Sequence, residues 1–129
     1  MIQINKVHHI AIICSDYKRS LQYYTEILGF KLDQETYREA RDSYKADLSL
    51  HGAYIIELFS FPSPPSRPSR PEAQGLRHLA FEIDDVSAVA KFLQAKELPC
   101  EDIRIDELTG KRFLFTQDPD ALPIEFYEK

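Results

Sequence analysis

Two short stretches of the chain share one order of apolar and polar positions. His9-Ile-Ala-Ile-Ile-Cys-Ser-Asp16 and His78-Leu-Ala-Phe-Glu-Ile-Asp-Asp85 both read histidine, apolar, alanine, apolar, and both place an aspartate seven residues after the histidine. Self-similarity of this kind marks a repeated structural unit. Each stretch predicts a β-strand, and each aspartate opens a helical pattern. Leu21, Tyr24 and Leu28 follow Asp16 at helical spacing, and Val86, Val89, Ala90 and Leu93 follow Asp85. Aspartate suits the N-cap, because its side-chain oxygen accepts a backbone N–H that the first helical turn leaves unpaired. Gly29 stands where a helix C-terminus wants a left-handed residue, and Pro99 helps to end the second helix.

The repeat extends further. Tyr54-Ile-Ile-Glu57-Leu-Phe matches Leu122-Pro-Ile-Glu125-Phe-Tyr, and the histidine-to-glutamate separation is 48 residues in the first half and 47 in the second. Between helix and last strand each half holds two more strand-like runs. These are Lys31–Tyr37 and Tyr44–Leu50 with a turn at His51-Gly52, then Cys100–Ile105 and Lys111–Gln117 with turns at Gly110 and Asp118-Pro119-Asp120. Each half therefore reads β-α-β-β-β, and the chain is expected to be α+β. The expected layout is one domain over residues 1–129: module one at about 1–61, a connector at about 62–75 and module two at about 76–129. The segment from Phe61 to Pro71 holds five of the eight prolines and reads as a semi-rigid linker.

Composition narrows the function classes. A chain of 129 residues with 43% hydrophobic content fits one compact domain. No apolar run approaches the roughly 18 residues of a membrane span, and no signal-peptide pattern opens the sequence, so no membrane association and a cytoplasmic location are expected. A net charge of −5 argues against a nucleic-acid partner, which calls for a basic stripe. Cys14 and Cys100 form no CxxC and read as two free thiols.

The candidate chemistry lies on the repeated strands. Strand side chains alternate between faces, so His9 shares a face with Ala11 and Ile13 while His8 is expected on the other. Glu57 lies between Ile56 and Leu58, and Glu125 between Ile124 and Phe126. An ionisable group inside an otherwise apolar strand needs a counter-charge. A divalent cation supplies one and brings imidazoles and carboxylates together. A lone strand histidine is more often a hydrogen-bonded core residue, and a lone strand glutamate more often faces solvent. Four such residues at matching positions of two repeats reverse that preference, and His9, Glu57, His78 and Glu125 are the candidate metal ligands. The alignment with His78 selects His9 over His8. Glu82 reads as solvent-facing, and His51 lies in a turn.

These features, carried by HHIAIICSDYKRSLQYYTEILGF, YIIELF, RHLAFEIDD and DPDALPIEFYE, resemble the vicinal oxygen chelate superfamily, and within it the glyoxalase I (lactoylglutathione lyase) branch and its small bacterial YaeR-like relatives. The resemblance spans the whole chain. It implies tandem βαβββ modules with curved mixed sheets, and a metal held by His9, Glu57, His78 and Glu125. That metal is one divalent ion per site, nickel or zinc first, with cobalt, manganese or iron as further options. It implies a lyase or isomerase that moves a proton next to a carbonyl through a metal-stabilised enediolate, with Glu125 as the base and Glu57 as its alternative or partner. Alternatives on the same scaffold are an epimerase, a thiol transferase, a dioxygenase or a non-catalytic binding protein. The chain departs from the glutathione-using branch at two places. Ile10–Ile13 carries no arginine, and Phe59-Ser60-Phe61 stands where a polar residue is expected.

Arginine suits carboxylate and phosphate, so a small anionic substrate is expected, with a thiol adduct as the substrate the resemblance implies. Tyr37–Arg41, Arg67, Arg70, Arg77 and Lys111-Arg112 supply positive charge in loops and strand ends. Arg67, Arg70 and Arg112 are the expected substrate-binding arginines, and Phe61, with Phe59 and Phe113, is an expected wall of an apolar pocket. The resemblance also implies a homodimer, the commonest symmetric assembly.

Overall fold

The computed structural model describes residues 1–129 and divides into two compact units, Met1–Pro65 and Ser66–Lys129. Each unit is one βαβββ module. Module one runs β1 (Ile10–Cys14), α1 (Tyr17–Gln22, continued as a π-helical turn over Tyr23–Ile27), β2 (Lys31–Arg38), β3 (Ser43–Leu50) and β4 (Ala53–Ser60). Module two runs β5 (Leu79–Ile83), α2 (Val86–Ala95), β6 (Arg104–Ile105), β7 (Arg112–Gln117) and β8 (Pro123–Glu128). The sheet orders are β1-β4-β3-β2 and β5-β8-β7-β6. In each sheet the first strand pairs parallel with the last, and the other pairs are antiparallel. These are the curved, open, mixed α+β sheets that the family resemblance implies.

The caps fall where the aspartates predict. The Asp16 carboxylate accepts from the Arg19 N–H at 3.0 Å, and Asp85 from the N–H groups of Ser87 and Ala88 at 2.9 and 3.2 Å. Gly29 (φ 79°) follows the first helix in the left-handed conformation. Glu97 (φ 55°) takes that role after α2, two residues before Pro99. His51 (φ 50°) and Gly52 (φ 80°) are both left-handed, which is the twist a two-residue hairpin loop needs between β3 and β4.

Each sheet buries one face under its helix. In module one Ile12, Cys14, Ala46, Leu48, Ile56 and Leu58 form that face, and Ser20, Tyr23 and Tyr24 of the helical segment are buried with them. In module two Leu79, Leu114, Ile124 and Phe126 pack with Val86, Ala90 and Leu93 of α2. Burying each such aliphatic side chain stabilises the fold by about 1.5–3 kcal/mol. The β7–β8 hairpin is fixed by the buried Asp118, whose carboxylate accepts from the N–H groups of Asp120 and Leu122, both at 2.9 Å.

The structure departs from the sequence expectation at one strand and adds two details to it. The strand expected over Cys100–Ile105 ladders only at Arg104–Ile105, because the stretch after Pro99 is exposed and acidic. A short 3-10 turn, Glu39–Arg41, joins β2 to β3. The edge strand β2 is exposed from Lys31 to Tyr37, with Arg38 half-buried at its end. No helix is long and apolar enough to cross a membrane.

Candidate metal centre

In module one Ile56 and Leu58 are fully buried against the helix, so Glu57 between them turns to the other face. Its neighbour in register on β1 is Ala11. The small methyl leaves room for the His9 ring, whose Nε2 lies 3.6 Å from Glu57 Oε2. In module two the same construction recurs. Ile124 is fully buried and Phe126 nearly so, Ala80 is the neighbour in register of Glu125, and His78 Nε2 lies 3.1 Å from Glu125 Oε2. The side chains are 34% and 15% exposed in the first pair, and 33% and 14% in the second. Two strands of one register thus present a glutamate twice on the sheet face away from the helix, each beside a histidine that immediately precedes the module's first strand. The carboxylates lie on that half-exposed face and not in the apolar interior that the flanking residues suggest.

The surroundings of the two pairs differ. Asp47 stands opposite Glu57 across the β3–β4 ladder, and like charges so placed repel. Lys45 and Tyr54 offset the repulsion. Lys45 Nζ lies 3.0 Å from Asp47 and 3.5 Å from Glu57. The Tyr54 hydroxyl shares its one proton between Glu57, at 2.6 Å, and Asp47, at 3.0 Å. Burial, together with hydrogen bonds to Glu57 and Asp47, pushes the Tyr54 phenol up and keeps it a donor. The hydrogen bond to Asp47 is the main cause holding Lys45 above the usual lysine range. A bulge between Leu48 and Ser49 re-aims this end of the ladder.

In module two the residue opposite Glu125 is Phe115. Its ring meets the His78 ring edge-on, with centroids 5.1 Å apart. Arg104 lies over Phe113 and Phe115, 5.0 and 5.2 Å from their centroids. Glu125 meets no charged or hydrogen-bonding side chain besides His78.

His8 does not turn away from His9. Its Nδ1 is 2.8 Å from His9 Nδ1, and both rings lie on Tyr54. Both histidines precede Ile10, the first laddered residue, so strand alternation does not govern them. With Nε2 directed at Glu57, a His9 protonated on Nδ1 donates to an acceptor nitrogen of His8, the kind of outer contact that fixes a ligand imidazole.

The remaining expected residues are dispersed. Phe61 stacks on Phe59, with Arg38 over both rings at 5.6 and 4.6 Å. Arg70 and Arg77 line a cleft of about 650 Å³ in module two. Arg67 donates to Ser69 at 2.7 Å and to the Leu76 carbonyl at 3.3 Å. Arg112 lies across the sheet from Glu125, on the helix face, with two bonds to Glu128 at 2.7 and 2.6 Å and one to Ser87 at 3.1 Å. That pairing occupies its guanidinium and ties β7 to β8 and α2, which makes it a structural contact of module two. Glu82 and His51 are exposed.

Sequence reasoning missed Tyr54, Lys45, Asp47 and Phe115, and placed Arg38 only in the cationic run Tyr37–Arg41, with no sign of its contacts. The alternation Lys45-Ala-Asp47-Leu was a usable signal, since it places two charges on the face opposite the buried Ala46 and Leu48. Arg38 carried none. It reads as a loop cation, yet it donates to the buried Ser43 at 2.8 Å, and its Nε has no hydrogen-bond partner.

Comparison with known proteins places these features. The sequence profile of the Glyoxalase/Bleomycin resistance protein/Dioxygenase superfamily matches residues 6–126. The protein YaeR of Escherichia coli (strain K12) is 59% identical over 129 residues, covering all of both chains. A 2-epi-5-epi-valiolone epimerase of Actinomyces sp. is 25% identical over 92% of this chain and 76% of its own. Among solved structures, a glyoxalase family protein from Enterococcus faecalis superposes with a TM-score of 0.88 at 40% identity, over 96% of this chain and 98% of its own. The trypanothione-dependent glyoxalase I of Leishmania major gives 0.77 at 25% identity, over 97% and 87%.

Proposed function

The chain belongs to the glyoxalase/bleomycin resistance protein/dioxygenase superfamily, and from that premise we propose that it is a metal-dependent lyase or isomerase of glyoxalase I type, moving a proton next to a carbonyl. Members of the superfamily typically bind a divalent metal. No three His, Cys, Asp or Glu side chains gather as a ready metal cluster, and what supports a metal is the spacing within each His–Glu pair. Two ligand atoms about 2.1 Å from an ion and at right angles to each other are about 3 Å apart. The nitrogen–oxygen separations of 3.6 and 3.1 Å lie close to that. Each pair offers two ligands, and His9, Glu57, His78 and Glu125 together form the proposed set, within one chain or across a homodimer. Two imidazoles and two carboxylates suit nickel or zinc. The cytoplasm is the proposed location, in keeping with two cysteines that form no disulfide.

The observation that carries this reading is the recurrence of one His–Glu pair, in the same register and with the same exposure, in both modules. A bound divalent ion supplies Lewis-acid stabilisation of charge developing on a substrate oxygen. The protein's own groups do the rest. Glu57 is tethered by Tyr54 and Lys45, whereas Glu125 is held only by His78, so Glu125 is the carboxylate free to move. It takes a proton from substrate carbon and returns it to the neighbouring carbon. His8 orients His9, and the Phe115 ring packs edge-on against His78. Return of the proton to the opposite face of the same carbon is an epimerisation, a second reading favoured by the epimerase relative.

The test is metal content of the purified protein, followed by assay of methylglyoxal with glutathione and with other thiols. Bound nickel or zinc with turnover of a thiol adduct is expected. Absence of any retained divalent metal overturns the proposal. Bound metal without turnover of any adduct shifts it to the epimerase.

A further inference from the structure

We infer that the cleft in module two, lined by Arg70, Arg77, Arg104 and Phe115, binds the oxyanion end of a small substrate, a carboxylate or phosphate, beside His78. This rests on the proposed metal centre only for the other end of that substrate. The cleft's volume of about 650 Å³ suits a small ligand. Three arginines face two glutamates in its lining, a surplus of positive charge in a chain of net charge −5. The two ion pairs there, Arg77–Glu72 at 3.4 Å and Arg104–Glu101 at 3.1 Å, are single contacts between side chains 40–62% exposed. Exposed pairs of this kind hold their partners weakly, so a bidentate oxyanion competes with them. Arg70 has no carboxylate partner.

Arg104 makes the cleft more than a basic patch. Its guanidinium lies over Phe113 and Phe115, which hold the planar fork in place at little entropic cost. Phe115 lines the cleft, meets the His78 ring and stands opposite Glu125 in the β7–β8 ladder. One aromatic ring thus separates the cationic cleft from the His78–Glu125 pair. A substrate with its oxyanion in the cleft extends past Phe115 and brings its reacting carbon to Glu125.

The experiment is calorimetric titration of malonate, and separately of inorganic phosphate, into full-length protein stripped of metal with a chelator. Saturable binding of at least one is expected, the better probe reporting which oxyanion geometry is preferred. Binding should weaken about tenfold or more in Arg104→Gln and in Arg70→Ala, weaken as salt rises, and persist in His78→Ala. Metal content measured on the same preparations keeps the two readings apart. Anion binding by a protein that held no metal before the chelator was added supports the cleft and removes the metal centre. Saturation by neither probe, unchanged affinity in both arginine variants, or binding that needs added metal and vanishes in His78→Ala overturns the inference.

Discussion

The two modules carry one pair of side chains on one strand register and surround it with opposite chemistry. Where module one places Asp47 and Lys45 across from β4, module two places Phe115 and Phe113 across from β8. The first carboxylate is caught in a net of a phenol, an ammonium and a second carboxylate; the second is walled by aromatic rings. Duplication keeps what the backbone dictates, namely strand order, an alanine beside the glutamate and the His–Glu separation. It leaves free what lies on the neighbouring strand. In the proposed ligand set the two carboxylates are thereby unequal, Glu57 tethered by Tyr54 and Lys45 and Glu125 held by His78 alone.

The sharpest way to break this comparison is to exchange carboxylate for amide in each module. Glu125→Gln should lower kcat by about 10²–10⁴-fold in steady-state assays with the metal restored. In Glu57→Gln the metal affinity should fall instead, and His78→Ala should behave likewise, each by about 100-fold or more in a competitive chelator titration. Equal losses of kcat in the two glutamine variants would erase the proposed division between a fixed and a mobile carboxylate.

Tyr54→Phe sharpens the comparison without touching a ligand. It leaves Glu57 and Asp47 facing each other with Lys45 alone between them, and metal affinity should fall by about tenfold. The equivalent change in module two, Tyr127→Phe, should leave metal affinity unchanged, because that hydroxyl meets Asp106 and Thr109 and not Glu125.

The smallest effect is in the alkaline limb of stability. The Tyr54 phenol is pushed up by burial and then by its carboxylate partners, and the Tyr17 phenol by burial and then by Glu35. A group whose folded-state pKa is raised contributes stability that is complete below its unfolded value and lost as pH rises above it. Thermal melts should therefore show stability falling above about pH 10, with a shallower fall in Tyr54→Phe.

Much of this was legible in the sequence because strands alternate. The flanks Ile56, Leu58, Ile124 and Phe126 are buried as the pattern requires, and the equal spacing from Asp16 and Asp85 to their histidines located both helices and both caps. What escaped lies where alternation lapses. His8 and His9 precede the ladder, so their rings meet. Tyr54 reaches Glu57 next to a bulge that no residue type announces. Arg112 read as a free cation because nothing in the linear pattern shows Glu128 beside it on the helix face.

Strand β2 has a consequence of another kind. It is the outer strand of its sheet and exposed from Lys31 to Tyr37, so its outer backbone groups are a template on which another extended chain can pair. Lys31, Asp33 and Glu35 recur at every second position and supply the charge that discourages such pairing. Their replacement by threonine would leave β2 an adhesive edge, and the price of losing them would be read as turbidity in concentrated protein rather than as any change at the proposed metal centre.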